Sequence, residues 1–213
     1  MPKINNLYPI TRKIRRQLDK HDAVREKCMK LSRDISRKAR IIIQGLHRSY
    51  KTKRWRDELT AIKRDNARLQ RLLIYYSDLY HTGFVSTALQ ELSEAFILLA
   101  VIDKKPLPEP EKLQVTPDTY LLGLADTIGE LRRCTLDALR KRNLKAAWEF
   151  LDAMEEIFES LMTFDYPESI VPLRRKLDIA RGVIEKTRGE LAVAVSERSL
   201  EKKIEELRKR SYR

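Results

Sequence analysis

Glycine and proline are scarce, six and eight in a chain of 213 residues. So little glycine leaves no Gly-rich phosphate loop, and neither a Gly-x-Ser-x-Gly elbow nor a His-Glu-x-x-His helix occurs, which sets aside three common families of catalytic sites. Cys28 and Cys134 are the only cysteines; they imply neither a disulfide framework nor a Cys-based zinc site and are expected to pack in the core. The three histidines, at 21, 47 and 81, do not supply the Glu-x-x-His pairs of a di-iron bundle, because Glu91 is followed at i+3 by Glu94 and Asp126 by Gly129. No run approaches the roughly 20 apolar residues that span a bilayer, and Met1 to Asn6 lack the apolar core of a leader. A cytoplasmic chain without membrane association is expected.

What is abundant is charge and helix-forming residues. Charged side chains make up 35% of the chain and aromatic ones 7%, a balance that points to long helices and an all-α fold. The net charge of +13 is placed unevenly. Residues 1 to 56 hold 18 Lys or Arg against 4 acids, an excess of 14, so the rest of the chain is near neutral. A basic end on a neutral body fits a polyanionic partner, with nucleic acid ahead of anionic membrane. Arg12, Arg15 and Arg16, and then Lys53, Arg54 and Arg56, are the candidate phosphate contacts.

Periodicity divides the chain into about seven helices in an antiparallel bundle. Residues 1–10 read as an extended lead-in, 11–195 as one helical domain, and 196–213 as a charged C-terminal helix or tail. The strongest seam runs through Ile14, Leu18, His21, Val24, Cys28, Leu31, Ile35, Ala39, Ile42 and Leu46 in steps of three or four. It predicts a first helix from Thr11 to about Gly45 and the polar stretch at 49–52, with His21 buried and part of its flank left for another subunit. A second helix is predicted from Lys53 to Tyr80, with Trp55 as a packing anchor, and His81-Thr82-Gly83 interrupts the pattern. After a third helix ending near Asp103, three prolines at 106, 108 and 110 demand a loop. Thr116-Pro117 opens a fourth helix, Asn143 caps a fifth, and a sixth fades near Arg188-Gly189.

Two apolar helices each carry a pair of acids. Glu91 and Glu94 interrupt a third helix that is apolar nearly all round, through Ala88, Leu89, Leu92, Ala95, Phe96, Leu98 and Leu99. Asp126 and Glu130 interrupt Leu121, Leu122, Leu124, Ala125, Ile128 and Leu131 in the fourth. Residues three or four apart stack on one helix face. On a surface helix such a pair is a solvated stripe, but buried acids require a counter-charge. Hard oxygen donors suit Mg²⁺, with Mn²⁺ as an alternative, and such a metal would polarise a phosphate and lower the pKa of an attacking water.

Several segments resemble one family. Lys30-Leu31-Ser32-Arg33-Asp34-Ile35 with Leu46-His47-Arg48, the stretch from Tyr120 to Leu131, and Tyr166-Pro167 followed by Arg174, Lys176, Leu177 and Arg188-Gly189 resemble, in order, the translin and translin-associated factor X (Trax) family. The resemblance covers about residues 11–195 and implies a seven-helix fold that assembles into hollow shells, commonly of eight subunits, binding RNA and single-stranded DNA. It also implies that Trax-like chains are Mg²⁺-dependent endoribonucleases which keep Glu-x-x-Glu and Asp-x-x-x-Glu, whereas translin-like chains bind and scaffold. Glu91, Glu94, Asp126 and Glu130 match the catalytic pattern, and His81 falls where the family places a histidine near nucleic acid. The expected function is therefore metal-dependent hydrolysis of single-stranded RNA by a homo-oligomer. Two rivals are a non-catalytic RNA or single-stranded DNA binder and an all-α nucleotide pyrophosphatase, the latter leaving the basic end unexplained.

Overall fold

A computed structural model describes residues 5–48 and 52–211, with the side chains of the last two of these left aside. Seven α-helices follow in order: α1 (Leu7–Arg48), α2 (Thr52–Leu73), α3 (Gly83–Ile102), α4 (Pro110–Leu113), α5 (Pro117–Arg140), α6 (Leu144–Leu161) and α7 (Arg174–Ser211), with a 3-10 turn over Ser77–His81 between α2 and α3. Among the described residues there is no strand. The all-α, seven-helix expectation holds.

α3 is the centre. It packs against α1 on one side and α5 on the other, while α2 lies on α1, α6 on α5, and α7 against both α5 and α6. This central place explains its composition, since Val85, Ala88, Leu89, Leu92, Ala95, Ile97 and Leu98 are all buried. By length and composition alone α3 could cross a bilayer, which corrects the expectation that no segment reaches that length. Its two sides are taken by neighbouring helices, and it carries two acids.

The α1 seam is half core and half surface. Cys28, Ile35, Ala39, Ile42 and Leu46 are buried, but Ile14 is 48% and Leu18 63% exposed. At 1.5 Å per residue this helix of 42 residues is about 63 Å long, far more than one bundle can cover. It begins at Leu7, inside the segment expected to be extended. Gly45 does not end it. An added Cβ there would fall 2.0 Å from the Trp55 indole, so Gly45 is buried and helical to let that ring lie across it. Trp55 is thus a packing anchor, with the Arg54 guanidinium 4.9 Å from its ring centre. Of the stretch read as the end of α1, residues 49–51 lie outside the described residues.

Three other boundaries differ from the sequence reading. α2 stops at Leu73, not Tyr80: Tyr76 leaves helical geometry (φ −139°, ψ 61°) and makes an edge-to-face contact with His21, while Asp78 accepts from His21 Nε2 at 2.7 Å. His21 is accordingly half-buried and hydrogen-bonded. The proline loop contains the short α4, whose end is pinned by the buried Asn66 amide donating to Leu113 O at 2.7 Å. α7 runs unbroken through Gly189 and Ser196. One interior glycine costs a helix only about 1 kcal/mol, and here Arg132 donates to Thr187 Oγ1 and Glu190 Oε1 while Leu191 is fully buried, clamping the helix on both sides of Gly189.

Candidate functional site

The site begins with Gly123. A Cβ at that position would lie 2.7 Å from the Gln90 carbonyl oxygen and 2.8 Å from Ser93 Cβ, so the α5 backbone rests directly on α3. Ser93, Thr127 and Thr135 line this part of the core and spend their hydroxyls on carbonyls four residues back in their own helices, as buried hydroxyls in helices commonly do. Close contact at Gly123 sets the acid pair of α3 against that of α5.

Three of the four carboxylates have a cationic or strong donor partner. Glu91 accepts from Arg40 of α1, with Nη2 to Oε1 at 2.6 Å. Asp126 accepts from Lys176 Nζ of α7 and from the Gln90 side chain of α3. Glu130 accepts from His47 Nε2 of α1 at 2.5 Å and from Arg133 at 3.2 Å, and Cys134 Sγ lies 3.6 Å from His47 Nδ1. Burial alone would raise the Glu130 carboxyl, but the His47 hydrogen bond and the Arg133 charge outweigh it and hold the group below its ordinary value.

Glu94 is the fourth, and it has no hydrogen-bond or ion-pair partner among the described residues. Its carboxyl is pushed up to about 8, first by burial and then by the charges of Asp126, Glu130 and Glu91, with Lys176 opposing. All four acids therefore share one electrostatic neighbourhood. Among the described residues no three His, Cys, Asp or Glu side chains converge as a ready-made metal cage. The donor set still fits a hard cation: it is all oxygen, and its one unpartnered member sits where negative charge is least tolerated.

The candidate nucleic-acid residues are spread over the surface. Arg12, Arg15 and Arg16 are exposed on the projecting first half of α1 and line a broad basic groove with Tyr8 and Lys20. Lys53 and Arg54 are exposed at the start of α2. Arg56 is engaged, donating to Asp103 Oδ2 at the end of α3, with Nε at 2.8 Å, so it ties two helices together. His81 is exposed on the 3-10 turn, its ring edge toward Tyr80, two residues before α3 begins. Reasoning from sequence missed Arg40, His47, Gln90 and Lys176. His47 and Lys176 lie inside the stretches that carried the family resemblance, whereas nothing local marks Arg40.

Fold and site together define an all-helical protein built around a carboxylate cluster at its central helix contact. A sequence model of the Translin family matches residues 23–188, and the chain belongs to that family. It is 37% identical over 175 residues to the uncharacterized protein MJ0175 of Methanocaldococcus jannaschii, covering 82% of this chain and 78% of that one. Its structure resembles the crystal structure of AfC3PO (TM-score 0.81, 30% identity, 88% of this chain and 98% of the other). It also resembles a complex of AfC3PO with duplex RNA (TM-score 0.77, 32% identity, 88% and 97%). Apo-NeC3PO, at 22% identity and TM-score 0.79 over 91% of this chain and all of the other, shares the fold.

Proposed function

We propose that this chain is a Trax-like, Mg²⁺-dependent endoribonuclease that binds and hydrolyses RNA within a homo-oligomeric shell. One observation carries the reading: across the α3–α5 contact at Gly123 four carboxylates share one electrostatic neighbourhood, three of them with partners and Glu94 without a hydrogen-bond or ion-pair partner among the described residues. Glu91, Glu94 and Asp126 would hold Mg²⁺, or Mn²⁺, with Glu130 as a further ligand or a base beside it. Such an ion supplies polarisation of the phosphate and a water made acidic enough to attack at neutral pH.

The chain's own groups do the rest. Arg40, Lys176 and His47 hold three carboxylates in place and offset the desolvation of their charge. Arg40, exposed, and Lys176, partly exposed, would turn from carboxylate to substrate phosphate. The basic face of α1 would supply the salt-sensitive part of the affinity. The likeness to an AfC3PO complex with duplex RNA supports RNA as partner, and single-stranded DNA is a second candidate ligand. A cytoplasmic site of action fits a nuclease acting on cellular RNA.

A binding-only shell is favoured by a specific observation too: no three acids are arranged as a finished metal cage among the described residues. Labelled single-stranded and duplex RNA incubated with Mg²⁺ or EDTA, beside a Glu91→Ala, Glu94→Ala double variant, separates the two. Mg²⁺-dependent fragments absent from the double variant establish the nuclease; retarded but intact RNA in every lane establishes the binder.

A further inference from the structure

Beside the acid cluster, α1 and the start of α3 form an open groove of about 490 Å³. Arg33, Arg37 and Arg40 lie along it on one side of α1, spaced four and three residues apart, and Gly83 and Phe84 form its far wall. Arg40, one of its lining residues, also donates to Glu91 at 2.6 Å and so links the groove to the acid cluster. Arg37 pairs with Asp34 at 2.8 Å, an exposed contact of little worth, and Arg33 has no acidic partner among the described residues.

Two features make this more than a basic patch. The first is the N-terminus of α3, a helix of 20 residues. Thr82 stands at its N-cap position but does not cap it, donating its hydroxyl to Leu79 O at 2.6 Å. The first backbone N–H to turn back is that of Val85, to Thr82 O at 3.0 Å, so the amides of Gly83 and Phe84 remain to be met. Space beside Gly83 is open, with nothing within 4 Å of an added Cβ. Uncapped amides and the helix dipole together favour an anion.

The second feature is Ser32. It lines the groove, is 1% exposed, and its Oγ has no hydrogen-bond partner among the described residues. Ser93, Thr127 and Thr135 show what buried hydroxyls do in this protein, each bonding to the carbonyl four residues back. A buried hydroxyl left unpaired costs stability. Ser32 is therefore a donor held in reserve at the wall of a cationic groove.

We infer that this groove is a phosphoryl subsite, in which Arg33 and Arg37, Ser32 and the α3 N-terminus hold one phosphate of an RNA strand while a different phosphate lies at the acid cluster. The inference rests on the RNA-binding part of the proposed function and deepens it. Gly83 and Glu91 are eight residues apart, about 12 Å along α3, too far for one phosphate to serve both places. Arginine forks suit bidentate contact with phosphate oxygens. Phe84 and the exposed Ile41 give the groove apolar lining for the adjoining base or sugar. The occupant is either an internal diester or a terminal monophosphate.

Fluorescence anisotropy of the full chain with labelled single-stranded RNA in EDTA, over a salt series and with 5′-phosphate or 5′-hydroxyl ends, tests the subsite without cleavage. Arg33→Gln, Arg37→Gln should bind about tenfold more weakly and flatten the salt slope by about 0.7 for the phosphate lost. Ser32→Ala should weaken binding with an unchanged slope while its Tm stays level or rises, which a merely structural serine would not do. A loss confined to 5′-phosphorylated RNA assigns a terminal phosphate, and an equal loss on both assigns an internal one. Wild-type affinity and slope in all variants overturn the subsite. A wild type that binds RNA but leaves it whole in Mg²⁺ overturns the nuclease and leaves the subsite to its salt slope. One that binds no RNA overturns both.

Discussion

His47 Nε2 lies 2.5 Å from Glu130 Oε2, a contact 83 residues apart in sequence that joins the end of α1 to the middle of α5. Both side chains are largely enclosed, at 8% and 18% exposure. His47→Ala strands the Glu130 carboxylate with only the more exposed Arg133 beside it and is expected to cost on the order of 2–4 kcal/mol. The sign of the pH dependence follows from the lowered Glu130 group. It contributes stability present above its unfolded value of about 4.5 and lost as pH falls through the folded one. In thermal melts the acid limb of His47→Ala should therefore move to higher pH, while His47→Gln, which keeps a donor, recovers part of the loss. A wild-type acid limb in His47→Ala would show that this pair does not hold Glu130.

Glu94 has the opposite sign. Its carboxyl, raised to about 8, prefers its proton when folded, so its contribution is complete below about pH 4.5 and lost as pH climbs through 8. In the absence of divalent metal, Tm should fall between pH 5 and 8, and Glu94→Gln should flatten that fall, by about 2–4 °C for each kcal/mol of repulsion removed. Mg²⁺ should raise the wild-type Tm more at pH 8 than at pH 5, since protons compete for the same oxygens, and should not do so in Glu94→Gln. An equal Mg²⁺ response in both proteins would remove Glu94 from the metal site.

The two sites differ in how far the sequence reveals them. Periodicity alone places Cys28, Ile35, Ala39, Ile42 and Leu46 in the core, and Asn143 caps α6 as its residue type suggests, accepting from the Ala146 amide at 3.2 Å. The acid pairs stand out because their helices are otherwise apolar. Arg40–Glu91, His47–Glu130 and Lys176–Asp126 do not stand out, because each joins residues at least 50 positions apart, and which helix packs on which is a property of the assembled core. The same limit hid the unbroken α7. Gly189 reads locally as a stop, and only the clamp of Arg132 and Leu191 makes it tolerable. Ser32 looks like any helical serine until its missing partner is seen in three dimensions.

At Gly123 the α5 backbone lies directly against the α3 backbone. Gly123→Ala must push α5 away from α3, because the obstacle at 2.7 Å is backbone and cannot swing aside. Overpacking of this kind costs typically about 1–3 kcal/mol. A displaced α5 also carries Asp126 and Glu130 away from Glu91 and Glu94. The expected result is a Tm lower by several degrees together with loss of Mg²⁺-dependent cleavage well below the melting temperature. Gly129→Ala is the control, since an added Cβ there meets nothing within 4 Å; it should leave both unchanged or raise Tm slightly through better helix propensity. Equal behaviour of the two alanines would mean that close approach at Gly123 does not set the site.

The projecting half of α1 exposes Ile10, Ile14 and Leu18 at helical spacing, among Arg12, Arg15 and Arg16. These apolar side chains are about half exposed and lie outside the hydrophobic core, and a helix end of this length is marginal in water without a partner. A second copy of the chain is the occupant that the homo-oligomer reading requires. Ile14→Glu, Leu18→Glu should then lower the mass measured by light scattering, while the stability of the bundle itself changes by no more than the roughly 0.5 kcal/mol typical of surface changes. RNA affinity should fall with the mass if the basic residues act as a ring of subunits, since separate subunits lose the gain of simultaneous contacts. An assembly of unchanged mass would place the subunit contacts elsewhere and leave this half of α1 free for the nucleic acid.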